Sequence, residues 1–356
     1  MIITVVCLFF LWQSASPEVL QHMHAGAEAE KAGHFDVAIV EFRKVTELAP
    51  TAATGFARLG QAYLEKGDYG GAIPPLQQAL KLDPEMAAAH QLLGYALLSQ
   101  GYPVEAIPHL EKSDDVAALG IAQMEAGKLP DAVAHLVTAL ASRPNDPDLL
   151  YYLGRASGLL SKQSMDNLIA AYPDSARSHQ AMAENYYVLR QMPQSEKEFQ
   201  EAIRLRPDLP KIHLELGLVY AGASQWPQAE AAFRRETELR PGDAEAVYRL
   251  GNALLQQGKA KEAQAQLTRS DKLLPDMPET LYSLGKAEAL EGDNAAAEKA
   301  WKKVTELEKG GSLAAQAHFG LAELYRKQGK SADAEREIQE FNKLQAATAP
   351  PTAPQQ

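Results

Sequence analysis

The chain has 356 residues, of which 46% are apolar, 23% charged and 7% aromatic. Its formal net charge of −11 argues against a protein that binds nucleic acid through the phosphate backbone, because such binding needs a basic surface. Cys7 is the only cysteine, which excludes internal disulfides, thiolate zinc sites and iron–sulfur ligation.

The N-terminal segment has the pattern of a secretory signal. Residues 1–12 are an apolar run without a charge, and small residues follow at Ser14 and Ser16. The run is shorter than the roughly 20 residues of a transmembrane helix. We therefore predict a signal peptide over residues 1–16 and an exported mature chain that begins at Pro17. No Lys or Arg precedes the run, so a retained hydrophobic anchor and a misplaced start site are the alternatives.

Small residues and prolines then recur with a period of 34 residues. The glycines fall into groups whose members are 34 residues apart: Gly26, Gly60 and Gly94; Gly120 and Gly154; Gly217, Gly251 and Gly285. The prolines Pro173, Pro207, Pro241 and Pro275 have the same spacing. Alanines are followed four residues later by large apolar residues, as in Ala72 and Leu76 or Ala229 and Phe233. A period of this length indicates a solenoid, in which stacked repeats bury each other's apolar faces.

One period reads as a pair of helices. Residues 211–222 predict a first helix, the segment Ser224–Pro227 a turn, and the following residues a second helix that Pro241 ends. A glycine inside a helix costs about 1 kcal/mol relative to alanine. The recurrence of Gly217 at one phase therefore predicts close approach of a neighbouring helix.

Two periods are shortened. Gly94 and Gly120 are 26 residues apart, and Pro144 and Pro173 are 29 apart. We predict a clipped second helix or a tightened turn in each, with a change of curvature near residues 110–118 and 155–175. The second change would divide the array into two lobes, although deletions that merely bend the stack explain the spacing equally well.

The chain ends in a segment rich in Pro, Ala and Thr. Residues 346–356 cannot form a core, and their composition is typical of a disordered or polyproline-like tail. The repeat array is therefore placed at residues 17–345.

The repeated residues resemble those of a known family. One unit contains Phe56, Leu59, Gly60, Tyr63, Ala72, Leu76, Ala79 and Pro84 at the offsets of the tetratricopeptide repeat. The resemblance implies an all-α fold, a right-handed superhelical α-solenoid of about ten helix–turn–helix units.

The sequence gives no pattern of catalytic or metal-binding residues. Five histidines recur at one repeat position and are interpreted as packing residues: His22, His90, His179, His213 and His318. His22 and His24 have no third ligand for a metal ion. Gly329-Lys330-Ser331 lacks the first glycine of a phosphate-binding loop, because Leu324 stands there. We expect no enzyme activity, no metal and no cofactor.

The resemblance also implies where a partner binds. In similar proteins four positions of the first helix line a concave groove that holds a protein or peptide. They are the second, fifth, ninth and twelfth, counted with the recurring glycine as the eighth. Here the candidate residues are Tyr151, Tyr187, Tyr248, Asn252, Tyr282, Lys286 and Phe319. Asn252 and Lys286 are the only matches to the family's carboxylate clamp. We expect Tyr248, Asn252, Tyr282 and Lys286 to hold an extended segment or helix of a partner, the alternative being that the tyrosines only fill the superhelix.

The function predicted from these features is a non-catalytic scaffold or adaptor for other proteins. The N-terminal pattern favours an exported, periplasmic or extracellular protein that acts in assembly of envelope complexes, with no membrane span in the mature chain. The alternatives are a cytoplasmic adaptor or regulatory module, and an accessory recognition module for an enzyme such as a glycosyltransferase.

Overall fold

The secondary structure is entirely helical in the part of the chain that is described. The computed structural model describes residues 16–348, which contain nineteen α-helices and no strand. The first eight helices are α1 (Pro17–Lys31), α2 (Phe35–Leu48), α3 (Ala53–Glu65), α4 (Tyr69–Leu82), α5 (Ala87–Ser99), α6 (Pro103–Leu110), α7 (Val116–Glu125) and α8 (Leu129–Ser142). The single helix α9 (Pro147–Ala171) follows. The last ten are α10 (Ala176–Val188), α11 (Met192–Leu205), α12 (Ile212–Gly222), α13 (Trp226–Leu239), α14 (Ala244–Gln256), α15 (Ala260–Leu273), α16 (Pro278–Glu291), α17 (Asn294–Leu307), α18 (Gly311–Lys327) and α19 (Ser331–Thr348).

A left-handed residue ends the first helix of most pairs. Gly67, with φ of +84°, follows α3, and its amide donates to the Leu64 carbonyl. The Asp68 carboxylate then accepts from the Gly71 amide at 2.8 Å and caps α4. Arg190 and Ser224 take the same conformation without being glycine, which costs each about 1 kcal/mol.

The recurring glycines allow the two helices of a pair to touch. A Cβ atom at Gly217 would lie 2.4 Å from Cε1 of Phe233, and one at Gly60 would lie 2.4 Å from Cγ of Leu76. Phe233 and Leu76 are fully buried. The close approach that the recurrence of glycine predicted is therefore present, and each large side chain fills the space that the missing methyl group leaves.

The chain divides between Ser164 and Met165 into two compact units. The core of the first unit contains Phe42, Leu76, Leu110 and Leu136. The core of the second contains Phe199, Phe233, Leu267 and Trp301. Each unit is an α-solenoid in which neighbouring pairs bury each other's apolar faces.

The expectation of a helix pair is wrong for the fifth repeat, which is one continuous helix of 25 residues. Ser161 stands where the fourth repeat has the left-handed Gly127 and the sixth has the left-handed Arg190, and no proline follows Pro147 within α9. The backbone continues in α-helical form through Ser161. A Cβ atom at Gly154 would meet nothing within 4 Å, so this glycine does not receive a large side chain as its counterparts do.

The third repeat and the two ends of the array were also predicted to be irregular. The third repeat has the shortened second helix expected there, since α6 has 8 residues whereas α4 has 14.

Helix α19 runs to Thr348, so the first three residues of the predicted tail are helical, and residues 349–356 lie outside the described range. Residues 1–15 of the predicted signal peptide also lie outside it. Its last residue, Ser16, caps α1. The curvature changes stay predictions.

Candidate functional site

The first helices of successive pairs form one face of each unit. Contacts join α3 to α5 and α5 to α7 in the first unit, and α10 to α12, α14 to α16 and α16 to α18 in the second. Within the described residues, second helices make no contact of comparable extent with one another. The first helices therefore lie closer together than the second helices, and the surface they share is called the inner face.

Two of the predicted tyrosines lie half-buried on the inner face of the second unit. Tyr248 on α14 packs against the core, and the guanidinium of Arg249 lies 5.4 Å from its ring centroid. The ammonium of Lys286 lies 5.9 Å from the ring centroid of Tyr282 on α16. Burial raises the pKa of the Tyr248 and Tyr282 hydroxyls, so both rings stay neutral and able to donate a hydrogen bond.

Three predicted residues meet at one pocket of about 220 Å³ between α16, α17 and α18. Its lining comprises Tyr282, Lys286, Ala289, Asn294, Trp301, Gln316, Phe319, Gly320, Glu323, Leu324 and Lys327. The buried indole of Trp301 donates to the Tyr282 carbonyl at 3.1 Å. Phe319 is 44% exposed and contacts the Phe341 ring at a centroid distance of 5.4 Å. The pocket therefore joins buried and open aromatic surface.

The other predicted residues are not part of this pocket. Asn252 is half-buried on α14, one turn from Tyr248. Tyr187 packs against the core around α10 and α12. Tyr151 belongs to the first unit, where it is 59% exposed and meets the Tyr152 ring edge-on. Four of the seven candidates therefore do not line the pocket.

Sequence reasoning missed a cluster of polar and acidic side chains on α10 and α12 in the second unit. Gln180 on α10 donates to Glu215 on α12 at 2.9 Å and accepts from Arg177 at 2.6 Å. Burial and the nearby Glu184 carboxylate raise the pKa of Glu215 to about 7, and burial also raises the pKa of Glu184. Gln180 and Glu184 occupy the fifth and ninth positions of their helix, which are predicted groove positions, and this is the signal that could have found the cluster.

The recurring histidines pair with side chains nineteen residues further along the chain. In three pairs the histidine Nδ1 atom lies 2.6 Å from a glutamate oxygen: His22–Glu41, His179–Glu198 and His318–Glu337. In the fourth pair, His90–His109, the two Nδ1 atoms are 2.8 Å apart. Buried His213 instead contacts the Pro207 carbonyl at 3.1 Å. These contacts tie the two helices of a pair together or hold a turn, which agrees with a packing role.

Two other features are absent from residues 16–348. No group of three or more His, Cys, Asp or Glu side chains that could hold a metal ion is found in residues 16–348. None of the helices described here combines the length and the apolar composition that crossing a membrane requires.

Family models of known proteins match most of the chain. A model described as TPR repeat matches residues 60–101, and one described as tetratricopeptide repeat matches residues 25–78, 117–157, 181–244, 214–278, 248–305 and 282–347. No curated protein matches the sequence.

Several solved structures resemble the fold at low sequence identity. MamA from Desulfovibrio magneticus RS-1 is 19% identical with a TM-score of 0.47, over 50% of this chain and 98% of that one. YrrB, described as a TPR protein with an unusual peptide-binding site, is 18% identical with a TM-score of 0.45, over 52% of this chain and 93% of its own. Yeast Tom70 is 13% identical with a TM-score of 0.42, over 92% of each chain.

Proposed function

Because the chain belongs to the tetratricopeptide repeat family, we propose that it is a non-catalytic scaffold whose inner face binds a segment of a partner protein. The observation that carries the proposal is the pocket where Tyr282, Lys286 and Phe319 meet. Aromatic side chains that are rigid, partly exposed and next to polar groups are the usual anchors of protein interfaces.

The lining of the pocket favours a bulky apolar side chain as the anchor from the partner. Trp301 and Leu324 are buried beneath it, and Phe319 is open to solvent beside it. Lys286 and Lys327 lie at the same pocket and form no ion pair among the described residues. They are free to contact backbone carbonyls or a carboxylate of the bound segment.

Site-specific photocrosslinking in cells of the native source tests this proposal. A photoreactive phenylalanine analogue replaces Phe319 in one variant and Tyr102 in a control variant. Tyr102 is 51% exposed in the first unit, so the control matches the exposure of the site without its pocket. We expect a discrete crosslinked protein from position 319 that is absent from position 102. The same adducts from both positions, or none from position 319, would contradict the proposal.

A double variant gives a second test of the same pocket. Tyr282→Ala with Phe319→Ala should abolish the crosslinked complex when the probe is moved to Gln316, which lines the pocket. The matched control is Tyr69→Ala with Tyr102→Ala, since both tyrosines are exposed in the first unit. Far-ultraviolet circular dichroism of both variants shows whether the helices are intact.

We further propose that the scaffold is exported and acts in assembly of envelope complexes. The support is the uncharged apolar run of residues 1–12 followed by Ser14 and Ser16. N-terminal sequencing of C-terminally tagged protein from fractionated cells tests it. A chain that begins at Pro17 in the envelope fraction is expected, whereas an unprocessed chain in the cytosol would favour the cytoplasmic adaptor.

A further inference from the structure

A second pocket, of about 920 Å³, lies in the second unit between α15, α16 and α17. It is separate from the pocket of the proposed function and shares no lining residue with it. Its walls contain the apolar side chains Leu281, Leu284 and Ala300. The charged side chains around it are Asp271, Asp276, Glu288, Glu298, Lys299, Lys302, Lys303 and Glu306.

Glu288 is the unusual residue of this pocket. It lines the pocket, yet only 9% of its surface is exposed, and its Oε2 atom is shielded from solvent without a hydrogen-bond partner. Buried carboxylates are normally paired or hydrogen-bonded, because desolvating an unpaired charge is costly. Glu288 therefore has an unsatisfied carboxylate oxygen at the wall of an open pocket.

The position of Glu288 is occupied by a different residue in other repeats. The residue three positions after the packing glycine is Tyr63 in the second repeat, Tyr220 in the seventh and Glu288 in the ninth. The Tyr63 hydroxyl accepts from Arg43 at 2.7 Å, and the Tyr220 hydroxyl donates to Glu196 at 3.1 Å. In these two repeats the tyrosine hydroxyl therefore reaches the preceding repeat, whereas Oε2 of Glu288 has no hydrogen-bond partner.

The charges around the pocket define what can enter it. Lys302 pairs with Glu298 at 2.6 Å, and Lys303 pairs with Asp276 at 3.5 Å. Within each pair the positive and the negative charge cancel. Of the remaining lining residues, Asp271, Glu288 and Glu306 carry negative charge and Lys299 carries positive charge, so an excess of negative charge is left. The pocket is complementary to a cation with an apolar stem.

We propose that this pocket receives a basic side chain, lysine or arginine, from a partner protein, with Glu288 as its counter-ion. The methylene groups of the guest pack against Leu281 and Leu284, and its charged end reaches the Glu288 carboxylate. Long basic side chains commonly place an apolar stem and a charged tip in this way.

Lys299 is the competing cation within the chain. Its charge favours the ionised form of Glu288, but the two residues form no ion pair among the described residues, and Lys299 is exposed. A guest cation therefore has to displace no existing contact. Removing the Lys299 charge should strengthen binding of the guest.

Binding of short peptides to the full chain tests the proposal. The probe is N-acetyl-Ala-Arg-Ala-amide, and the matched probe carries citrulline, which keeps the shape of arginine without its charge. Methyl resonances of Leu281 and Leu284 report binding by nuclear magnetic resonance. We expect saturable shifts with the arginine peptide and about tenfold weaker binding with citrulline, since one charge-assisted contact is lost.

Three variants assign the effect to the pocket. Glu288→Gln should weaken binding of the arginine peptide about tenfold, and Glu288→Tyr should abolish it by filling the space. Glu291→Gln is the matched control, since Glu291 is an exposed residue of the same helix that does not line the pocket, and it should change the affinity less than about twofold. Lys299→Met should increase the affinity.

Four results would overturn the proposal. They are equal binding of the arginine and citrulline peptides, unchanged binding by Glu288→Gln, weaker binding by Lys299→Met, and the absence of methyl shifts with either peptide. Glu288→Gln is nearly isosteric, so the second result is readable even if Glu288→Tyr does not fold. Tighter binding of spermidine than of the arginine peptide would assign the pocket to a small polyamine rather than to a protein.

Discussion

A single methyl group separates the packing glycines from alanine, and its effect depends on what each glycine meets. At Gly217 the added Cβ atom would lie 2.4 Å from the Phe233 ring, whereas at Gly154 it would meet nothing within 4 Å. Both residues lie inside helices and at the same phase of the repeat. The two positions therefore form a natural matched pair.

Gly217→Ala should lower the free energy of unfolding by about 1–3 kcal/mol, because Phe233 is fully buried and has to move. Gly154→Ala should instead raise it by up to about 1 kcal/mol, because alanine is the better helix former and no clash opposes it. Urea unfolding followed by circular dichroism measures both. Equal effects of the two substitutions would show that the clash at Gly217 is relieved at no cost.

Glu288 should make stability depend on pH in a direction opposite to that of a paired carboxylate. Burial raises its pKa from 4.5 in the unfolded chain to about 7, with Asp293 adding to the shift and Lys299 opposing it. The folded protein therefore holds a proton between these pH values that the unfolded chain has released. The contribution of Glu288 to stability falls as pH rises from about 4.5 to about 7 and stays low above.

Replacing Glu288 by glutamine should remove this dependence. At pH 8 Glu288→Gln should be more stable than the parent by on the order of 1–3 kcal/mol, and near pH 4.5 the two should be equal. Urea unfolding at the two pH values measures the difference, with Glu306→Gln as the exposed control. A difference that stays constant with pH would mean that Glu288 has the same pKa in the folded protein as in the unfolded chain.

Histidine contacts mark what sequence can and cannot show at this scale. The recurrence of His22, His179 and His318 at one position was visible and indicated packing. The glutamates nineteen residues later were equally visible, but only the geometry of a helix pair brings them within 2.6 Å. Burial of Glu288 likewise depends on the packing of three helices, which no local pattern encodes.

Among the helices, α9 departs most from its neighbours. Sequence periodicity identified the paired helices, because glycine, alanine and proline recur at fixed offsets around each turn. The fifth repeat keeps the glycine phase at Gly154 but has Ser161 in place of a turn glycine. Serine is compatible with both states, as the left-handed Ser224 shows in the seventh repeat. The spacing alone could not decide between a tightened turn and an unbroken helix.

Hydrogen exchange should distinguish these two arrangements. Amides of residues 160–166 should exchange slowly, because each donates within a continuous helix, whereas amides 257–259 in the turn after α14 should exchange faster. Ser161→Pro should remove protection of the following residues, since proline inside a helix costs about 3 kcal/mol or more. Rapid exchange at 160–166 in the parent protein would indicate a turn there instead.

At the scale of the whole molecule, stability is distributed along the array. Each helix pair packs mainly on its neighbours in sequence, so the free energy of unfolding is approximately a sum of repeat and interface contributions. The chain divides between Ser164 and Met165 into two compact units, so each unit has its own sum of repeat and interface contributions. A local defect should therefore have local consequences.

Gly60→Val in the first unit tests this directly. Its side chain would collide with Leu76, and exchange of amides in α3 and α4 should become faster. Exchange in α14 to α17 of the second unit should be unchanged. Hydrogen exchange followed by mass spectrometry measures both regions in one experiment, and a loss of protection throughout would show that the chain unfolds as a single cooperative unit.

The position of Trp301 has an optical consequence. Its indole is buried between Gly285 and Gly320, and it belongs to the pocket that also contains Tyr282 and Phe319. A guest that enters this pocket changes the polarity around the ring and hence the colour and yield of its emission. With Trp226 replaced by phenylalanine, the mature chain predicted to begin at Pro17 would contain one fluorophore of this kind. Trp301 is thus an intrinsic fluorophore at the expected binding site, and its emission would report occupancy of the pocket without an added label.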